Sequence, residues 1–187
     1  MTPINGYHEA QAIQGGGEAL PAGGYKCTIV KAYEDTSKNG RPMLDVCLDI
    51  SDGDHKGYFS RLYRSRKELN DKDGKDTKWP CIMYLLADDE AVGRFKGAMK
   101  AIEDSNPGYS WENSGWKEET LKGKAVGVVF REEEYEKRDG SIGVTTRAAW
   151  MRNVDKVEEA AVPSRKKMRQ SIAATDGIAV DNEQIPF

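Results

Sequence analysis

The stretch that most constrains the fold is residues 44–50, in which apolar and other residues alternate strictly. The apolar positions are Leu44, Val46, Leu48 and Ile50, and those between them are Asp45, Cys47 and Asp49. Because successive side chains of a β-strand point to opposite faces, this alternation predicts a strand with one face in the core. The Asp52-Gly53 pair that follows is typical of a turn, so we expect the strand to end before it.

Four other segments carry strand signals, chiefly β-branched and aromatic residues or period-two alternation. They are residues 25–33, 57–64, 125–130 and 142–148. Asn39-Gly40 marks a turn before residues 44–50, and Asp139-Gly140 joins the last two segments into a long hairpin. Five strands are therefore expected.

A single helix is predicted between the third and fourth strands. Apolar residues recur there at helical spacing, namely Val92, Phe95, Met99 and Ile102. Asp88 or Asp89 suits its N-terminus, and Asn106-Pro107-Gly108 ends it. The order strand-strand-strand-helix-strand-strand is that of the OB-fold, a five-stranded barrel that binds oligonucleotides. We therefore predict a mainly β protein with one principal helix, an OB-fold-like five-stranded barrel (β-β-β-α-β-β).

The chain divides into three parts by composition. Residues 1–23 are rich in glycine and bury little, so we expect a flexible N-terminal arm. Residues 24–157 hold the predicted strands and helix and form the expected body. Residues 158–187 are largely small and polar, which predicts a disordered tail with an acidic tip. The net charge of −3 does not exclude a nucleic-acid ligand, because local patches decide binding.

Residue patterns that carry catalytic or metal chemistry are sparse. None of the three cysteines lies in a C-x-x-C pair, and no Gly-rich phosphate loop of the Walker type occurs. We therefore expect buried reduced thiols, no metal, no cofactor and no catalysis. The sequence shows no secretory signal and no apolar stretch of membrane-spanning length. We expect a cytoplasmic protein without a membrane partner, in a bacterium or in a phage-infected cell.

A site for single-stranded DNA is predicted in residues 58–84, where basic and aromatic residues occur together. Cations along the phosphates and aromatic rings under the bases hold such a ligand. On the predicted third strand, Phe59, Arg61 and Tyr63 would share one face and form the centre of the site. The other expected contacts are Tyr58, Arg64, Arg66, Lys67, Lys72, Lys75, Lys78 and Trp79. The alternative is that Phe59 and Tyr63 belong to the core while the arginines lie on a solvated rim.

The hairpin of the last two strands is a second candidate, since OB-folds use loops beside one face to hold a nucleic-acid strand. Its candidate contacts are Arg131, Tyr135, Lys137, Arg138 and Arg147. The acidic residues Glu132, Glu133, Glu134 and Glu136 argue against a continuous phosphate surface. Trp111 and Trp116 fit either base stacking or the core, and we assign Trp150 to the core. The basic run 165–169 fits phosphate contacts, an internal partner for the acidic tip, or a plain linker.

Residues 181–187 combine an apolar hook with an acidic stem. The hook is Ile185, Pro186 and Phe187, and Asp181 and Glu183 supply the charge. Pro186 restricts the conformation and so lowers the entropy lost on binding. An acidic end that finishes in Ile-Pro-Phe resembles the tip of bacterial single-stranded DNA-binding proteins. The resemblance implies that the tip recruits replication and repair enzymes. That family usually has more aspartates in its stem, so we expect weaker electrostatic recruitment or different partners.

A second resemblance covers roughly residues 20–157. Its motifs are Leu20-Pro21-Ala22-Gly23-Gly24-Tyr25, Gly40-Arg41-Pro42-Met43-Leu44, Gly57-Tyr58-Phe59, and Leu121-Lys122-Gly123-Lys124-Ala125-Val126-Gly127 with Tyr135 and Gly140. They resemble a family of small phage proteins from replication and recombination modules. Members of that family are commonly uncharacterised or described as single-stranded DNA-binding proteins.

Together the two resemblances imply a non-catalytic single-stranded DNA-binding protein of phage DNA replication, recombination and repair. Its partners would be single-stranded DNA and host or phage enzymes recruited by the tip, and a homo-oligomer stays open. One alternative is an interaction module that binds a replication or recombination enzyme without DNA. The other is a metal-dependent nuclease that uses Asp45 and Asp49, which share a strand face.

Overall fold

Five antiparallel strands form one sheet in the order β3-β2-β1-β4-β5. The computed structural model describes residues 19–168. The strands are β1 (Gly23–Thr36), β2 (Pro42–Ile50), β3 (Ile82–Leu86), β4 (Ala125–Glu136) and β5 (Ile142–Arg152). The helices are α1 (Tyr58–Lys72) and α2 (Val92–Ser105), with 3-10 helices at Glu118–Leu121 and Val154–Lys156. The prediction of a mainly β protein is confirmed, although the described chain holds two α-helices where one was expected.

The predicted third strand over residues 57–64 is wrong, because α1 begins at Tyr58. Gly57 takes a left-handed conformation with φ 69°, which a glycine adopts without strain and which redirects the chain into the helix. The Asp49 carboxylate accepts hydrogen bonds from the Phe59 backbone N–H at 3.0 Å and from the Ser60 hydroxyl. A carboxylate placed there satisfies a free backbone donor and suits the positive end of the helix dipole. A distant side chain therefore decides the helical state of this segment.

The actual third strand is β3, which lies in an apolar segment that was not among the predicted strands. It pairs with β2 in antiparallel fashion, from Met43 opposite Leu86 to Cys47 opposite Ile82. The sheet is open: β3 and β5 are its edges, and no hydrogen-bonded ladder joins them within residues 19–168. Cα atoms of β3 and β5 nevertheless approach one another to within 8 Å. The structure does not confirm a closed barrel.

The core lies between the inner face of the sheet, α2 and the first turn of α1. Its fully buried side chains include Ile29, Leu48, Ile102 and Phe130. Leu20, which precedes β1, is also buried, and its carbonyl accepts a hydrogen bond from the Thr146 hydroxyl at 2.5 Å. Both ends of the described chain thus contact the sheet, because residues 165–168 also lie beside β4.

Candidate nucleic-acid interface

A groove of about 810 Å³ lies on the outer face of β1, β2 and β3. The strand register builds its floor, since Tyr33 of β1 is paired with Asp45 of β2, and Asp45 with Tyr84 of β3. Residues paired across strands lie on the same face, so the two tyrosines flank Asp45 in one row. Neighbouring strands are about 4.8 Å apart, which places the backbones of the two tyrosines roughly 10 Å apart across the floor.

Three lysines surround this row. Lys31 is paired with Cys47, because an irregularity in β1 between Ile29 and Lys31 shifts the register. The Lys31 ammonium lies 4.8 Å from the centroid of the Tyr33 ring, a cation–π contact that holds both side chains at the groove. Lys38 comes from the β1–β2 turn, and Lys78 from the connection between α1 and β3.

Two further aromatic side chains form the wall of the groove. The ring centroids of Tyr63 and Trp79 are 5.1 Å apart, and their planes are inclined by 36°. Trp79 is fixed because its indole N–H donates a hydrogen bond to the Leu48 carbonyl at 2.8 Å. The Asn70 amide donates to the Thr77 hydroxyl at 3.0 Å and ties the end of α1 to the same connection. The groove therefore combines a rigid aromatic wall with Tyr84, which is 58% exposed.

Asp45 gives the groove floor an unusual electrostatic character. It is 2% exposed, and its Oδ1 atom has no hydrogen-bond partner in the described chain. Burial and then the charge of Asp35 raise the pKa of Asp45 above its ordinary value, while Tyr33 and Lys78 oppose the rise. Burial and then the charge of Asp45 raise the pKa of Tyr33 to about 12. Tyr33 therefore presents an uncharged ring at neutral pH.

A smaller groove of about 300 Å³ lies between the edge strands β3 and β5, and Tyr84 lines both grooves. Arg147 of β5 also lines the smaller groove. Burial raises the pKa of Tyr84, and Arg147 is near enough to oppose the rise. The Arg147 guanidinium is largely exposed, and the carboxylate of Glu133 lies 3.9 Å from its Nε atom. This predicted contact residue thus adds a cation at one end of the row of tyrosines.

The three residues predicted at the centre of the site do not share a surface. Helical residues four apart are neighbours, so Phe59 and Tyr63 lie on one side of α1 and Arg61 lies elsewhere. Phe59 is 5% exposed and stacks on Phe130 with ring centroids 5.8 Å apart. Arg61 is exposed and donates to the Lys56 carbonyl. Tyr63 lines the groove, whereas Phe59 belongs to the core, as the alternative interpretation had it.

The other predicted contacts of residues 58–84 take several positions. Tyr58 packs edge-on against Phe59, with ring centroids 5.1 Å apart. Exposed cations on α1 are Arg64, Arg66 and Lys72. Two further cations form exposed ion pairs. Lys67 of α1 pairs with Asp71 at 2.9 Å, and Lys75, which follows α1, pairs with Asp73 at 3.0 Å. Arg66 and Lys67 lie one helical turn beyond Tyr63 and extend that side of α1. Lys78 and Trp79 line the groove itself.

The predicted contact residues of the β4–β5 hairpin differ in whether they are engaged within the protein or accessible. Arg131 donates to the Glu133 carboxylate at 2.7 Å. Burial alone would raise the pKa of Glu133, but this hydrogen bond and the charges of Lys166 and Arg131 bring it below its ordinary value. Tyr135 packs over Gly143, where an added Cβ would lie 2.7 Å from the tyrosine ring. Lys137 and Arg138 are exposed at the hairpin turn. Arg131 is therefore engaged within the protein, and the turn cations are accessible.

Residues 165–168 of the basic run lie beside β4. The Glu134 N–H donates to the Lys166 carbonyl at 3.0 Å, and the Lys166 N–H donates to the Glu132 carbonyl at 2.9 Å. The Arg165 guanidinium is 2.6 Å from the Glu132 carboxylate. Basic residues of the same chain thus face the acidic stretch of β4. Arg169 and the predicted tip residues lie outside the described chain, namely Asp181, Glu183, Ile185, Pro186 and Phe187.

Apart from Trp79 and Cys47, the tryptophans and cysteines of the chain do not line the groove. Trp111 is buried, but Trp150 is 39% exposed, so its assignment to the core is wrong. All three cysteines are free and buried, and burial raises the pKa of Cys81 to about 12. Within residues 19–168 no group of three or more His, Cys, Asp or Glu side chains could hold a metal ion. None of the helices described there has the length and apolar character needed to cross a membrane.

Sequence reasoning missed four residues that line the groove, Lys31, Tyr33, Lys38 and Tyr84. A signal existed for two of them, because Lys31 and Tyr33 flank the buried Ala32 and so occupy the opposite face of β1. Tyr84 could not be placed, since its position opposite Asp45 depends on the register of two strands that no hairpin connects.

Residues 7–80 match a family model described as a protein of unknown function (DUF669). This region includes β1, β2, α1 and the Tyr63–Trp79 wall, but it is less than half of the chain. A search of the curated proteins found no match.

Proposed function

We propose that the protein binds single-stranded DNA non-catalytically, in the groove on the outer face of β1, β2 and β3. The observation that carries this proposal is the row of Tyr33 and Tyr84 beside the Tyr63–Trp79 wall, surrounded by three lysines. Flat aromatic faces stack with bases, and lysines attract phosphates along the same path. Bases in a duplex are already stacked on one another, so such a surface favours a strand whose bases are unpaired.

The sheet topology supports an OB-fold-like barrel as the scaffold of this site. The strand order, the position of α2 between β3 and β4, and the approach of β3 to β5 fit a five-stranded Greek-key barrel that is partly open. In that fold the face of the second and third strands and the loops of the first and last hairpins bind oligonucleotides. The groove lies on that face, with Lys38 in the first hairpin turn and Lys137 and Arg138 in the last.

The charge of the groove predicts moderate affinity with a shallow salt dependence. Its three lysines are opposed by Asp35 and Asp45, and Arg147 lies at one end. Each phosphate neutralised on a single strand contributes about −0.7 to the slope of log K against log salt. Engagement of three or four cations therefore gives a slope of roughly −2 to −3. Aromatic stacking accounts for the remaining affinity.

The test is a fluorescence-anisotropy titration of a labelled oligo-dT with wild-type protein and the Tyr84→Ala, Tyr33→Ala and Lys38→Ala/Lys78→Ala variants. Loss of stacking costs about 1–3 kcal/mol per base, so each tyrosine variant should bind roughly 5- to 150-fold more weakly. The lysine pair should lower the affinity and flatten the salt slope. Trp150→Ala and Lys122→Ala are matched controls, since both side chains are exposed outside the groove and should leave binding unchanged.

Other outcomes distinguish the alternatives. Equal or tighter binding of duplex DNA would contradict a stacking site for unpaired bases. No binding of oligo-dT by the wild-type protein would leave the interaction module as the better hypothesis. Release of labelled fragments in the presence of Mg²⁺ or Mn²⁺ would indicate the metal-dependent nuclease. The phage replication and recombination context and enzyme recruitment by the tip remain proposals that the sequence resemblances support.

A further inference from the structure

A further groove, of about 590 Å³, lies on the other side of the β1–β2 hairpin from the proposed DNA groove. It is called the second groove below and is distinct from the smaller groove between β3 and β5. Its walls are the end of that hairpin, the start of α2 and the loop that contains Trp111 and Trp116. Asp35, Thr36 and Met43 border both this groove and the proposed DNA groove. The second groove plays no part in the function proposed above.

Apolar side chains form the floor and one rim of the second groove. Val92 and Trp116 are 60% and 59% exposed, which is unusual for two large apolar residues that line one concave surface. Trp111 contacts both Phe95 and Trp116, since its ring centroid is 6.4 Å from that of Phe95 and 6.0 Å from that of Trp116. The aromatic surface therefore runs from the start of α2 to an exposed indole ring.

The backbone holds Trp116 in a conformation that a tryptophan rarely adopts. Its φ is 62°, and it is the one residue other than glycine with a positive φ in the part of the chain that the structure covers. The Trp116 N–H donates to the Trp111 carbonyl at 3.3 Å, which closes the loop. A glycine would fit this position without strain. The presence of a large exposed indole there indicates a use for the ring.

The rest of the rim of the second groove is acidic. Arg41 neutralises Asp88, with Nε–Oδ2 and Nη2–Oδ1 distances of 2.5 and 2.7 Å. The other acidic side chains at the rim are Glu34, Asp35, Asp89 and Glu118. No Lys, Arg or His of residues 19–168 lies within 4.0 Å of these four carboxylates. This charge repels phosphates and favours a ligand that carries Lys or Arg.

Trp111 forms the buried part of the groove wall. It is 6% exposed, and its indole N–H, which is itself buried, has no partner in the described chain. A ligand in the groove therefore meets the ring of Trp111 and not its N–H, so recognition rests on the aromatic surface and the acidic rim.

We infer that this groove binds a short peptide segment of a partner protein, with an apolar or aromatic anchor flanked by Lys or Arg. The anchor would pack against Val92 and Trp116, and the cations would face the acidic rim. The terminal segments of this chain have the wrong charge for this role. Residues 1–18 contain two glutamates and no Lys or Arg, and residues 169–187 contain three acidic residues against Arg169. The occupant is therefore expected from another protein.

The test uses the full-length protein and fluorescein-labelled peptides. One set has a central Trp, Phe or Leu flanked by Lys and Arg, and a matched set has Glu in place of each basic residue. The basic set should bind the wild-type protein, and the acidic set should not. Trp116→Gly removes the ring and relieves the positive φ, so this variant should fold normally and bind about tenfold or more weakly, as expected for a central aromatic anchor.

Two further variants separate the contributions of charge and position. Asp89→Lys/Glu118→Lys should weaken the basic set and admit members of the acidic set. Trp150→Ala, an exposed tryptophan on β5 outside both grooves, should bind as the wild type does. Oligo-dT affinity should be the same in Trp116→Gly and the wild type, so failure of this site is distinguishable from failure of the DNA groove.

Three results would overturn the inference. The first is no binding by any member of the basic set at concentrations up to about 1 mM, where even weak peptide sites are occupied. The second is binding that Trp116→Gly leaves unchanged. The third is a concentration-dependent dimer in sedimentation velocity that Trp116→Gly abolishes, since it would assign the groove to a second copy of this chain.

Discussion

At the scale of single residues, Asp45 is the side chain whose burial most clearly lowers the stability of the folded state. Its carboxylate is buried with one oxygen unpaired, and its pKa is raised above 3.8, chiefly by burial. The folded state therefore binds the proton more tightly than the unfolded state does. The charged form costs stability when the pH is above the folded-state pKa, and this cost disappears below about 3.8.

Asp45→Asn should therefore raise the free energy of unfolding at pH 7 by about 1 kcal/mol, because a neutral amide is cheaper to bury than a carboxylate. Urea unfolding of both proteins across pH 7 to 4 measures the effect. The advantage should shrink as the pH falls through the folded-state pKa and the wild-type carboxyl takes up its proton. A less stable variant at pH 7 would instead show that the charge makes a net favourable contact with Tyr33 or Lys78.

The same substitution should strengthen DNA binding. Removing a negative charge from between Tyr33 and Tyr84 lessens repulsion of phosphates, so the affinity for oligo-dT should rise about three- to tenfold at low salt. The gain should fall as salt is added, because added ions screen the charge. Glu132→Gln, which changes a partly exposed carboxylate beside Arg165, serves as the control and should leave affinity nearly unchanged. A loss of affinity in Asp45→Asn would mean that the Asp45 carboxylate favours binding by positioning Tyr33 and does not act chiefly by repelling phosphates.

The sequence predicted the residue types that form the site better than it predicted where each residue lies. Tyr63, Lys78, Trp79 and Arg147 were selected for charge and ring type, and they line the two adjoining grooves. Phe59 was selected by the same criteria, yet it is 5% exposed and stacks on Phe130, so it borders only the smaller groove and does so from the core. Sequence spacing cannot separate these cases, because Phe59 and Tyr63 occupy one side of a helix that packs on the sheet at its start and lines the groove one turn later.

At the scale of elements, α1 is held at its start by a side chain of β2. Asp49 accepts hydrogen bonds from the Phe59 N–H and the Ser60 hydroxyl, and it is only 9% exposed. Asp49→Ala should lower the free energy of unfolding by about 2 kcal/mol, because a buried backbone donor loses its acceptor and the helix loses an anion at its positive end. Asp71→Ala, near the other end of α1 and exposed, should cost less than about 0.5 kcal/mol.

Loss of this anchor should also weaken DNA binding, since α1 carries Tyr63 to its contact with Trp79. Urea denaturation measures the stability of each variant, and anisotropy with oligo-dT measures its affinity. If Asp49→Ala kept full stability, the Asp49 contacts would not be what fixes α1. Intact affinity in a destabilised variant would instead remove Tyr63 from the binding surface.

The two helices differ in how far their own sequences determine them. In α2 the spacing of Val92, Phe95, Met99 and Ile102 predicted the helix. Met99 and Ile102 are buried and Phe95 packs against the core, whereas Val92 is 60% exposed. In α1 the one fully buried residue is Phe59, and the rest of the helix is exposed or half-buried. Its helical state depends on Gly57 and on Asp49, which is ten residues earlier in the chain. Tertiary contact of this kind leaves little trace in a local pattern.

At the scale of the whole molecule, the β1–β2 hairpin separates two grooves that differ in the charge of their side chains. The groove on the sheet face carries lysines and aromatic rings, and the groove beside α2 carries carboxylates and aromatic rings. Their borders share Asp35, Thr36 and Met43, so ligands in both would approach within a few residues of each other. The difference in charge would keep each proposed ligand out of the other groove. This arrangement suits a protein that holds a nucleic-acid strand and a basic protein segment side by side.

The proposed tip provides the last prediction, because its acidic residues and the DNA phosphates would be attracted to the same cations. Deletion of residues 185–187, together with Asp181→Asn and Glu183→Gln, should leave oligo-dT affinity unchanged or increase it up to about threefold at low salt. Recovery of replication and repair enzymes on the immobilised variant should fall to background, whereas the immobilised wild-type protein should recover them. Deletion of residues 185–187 alone is the matched comparison, and it should abolish recovery while leaving oligo-dT affinity at the wild-type value. Unchanged recovery with either variant would place enzyme recruitment on another surface, of which the acidic groove beside α2 is the first to test. Reduced oligo-dT affinity would instead place the tip within the DNA-binding surface, contrary to its negative charge.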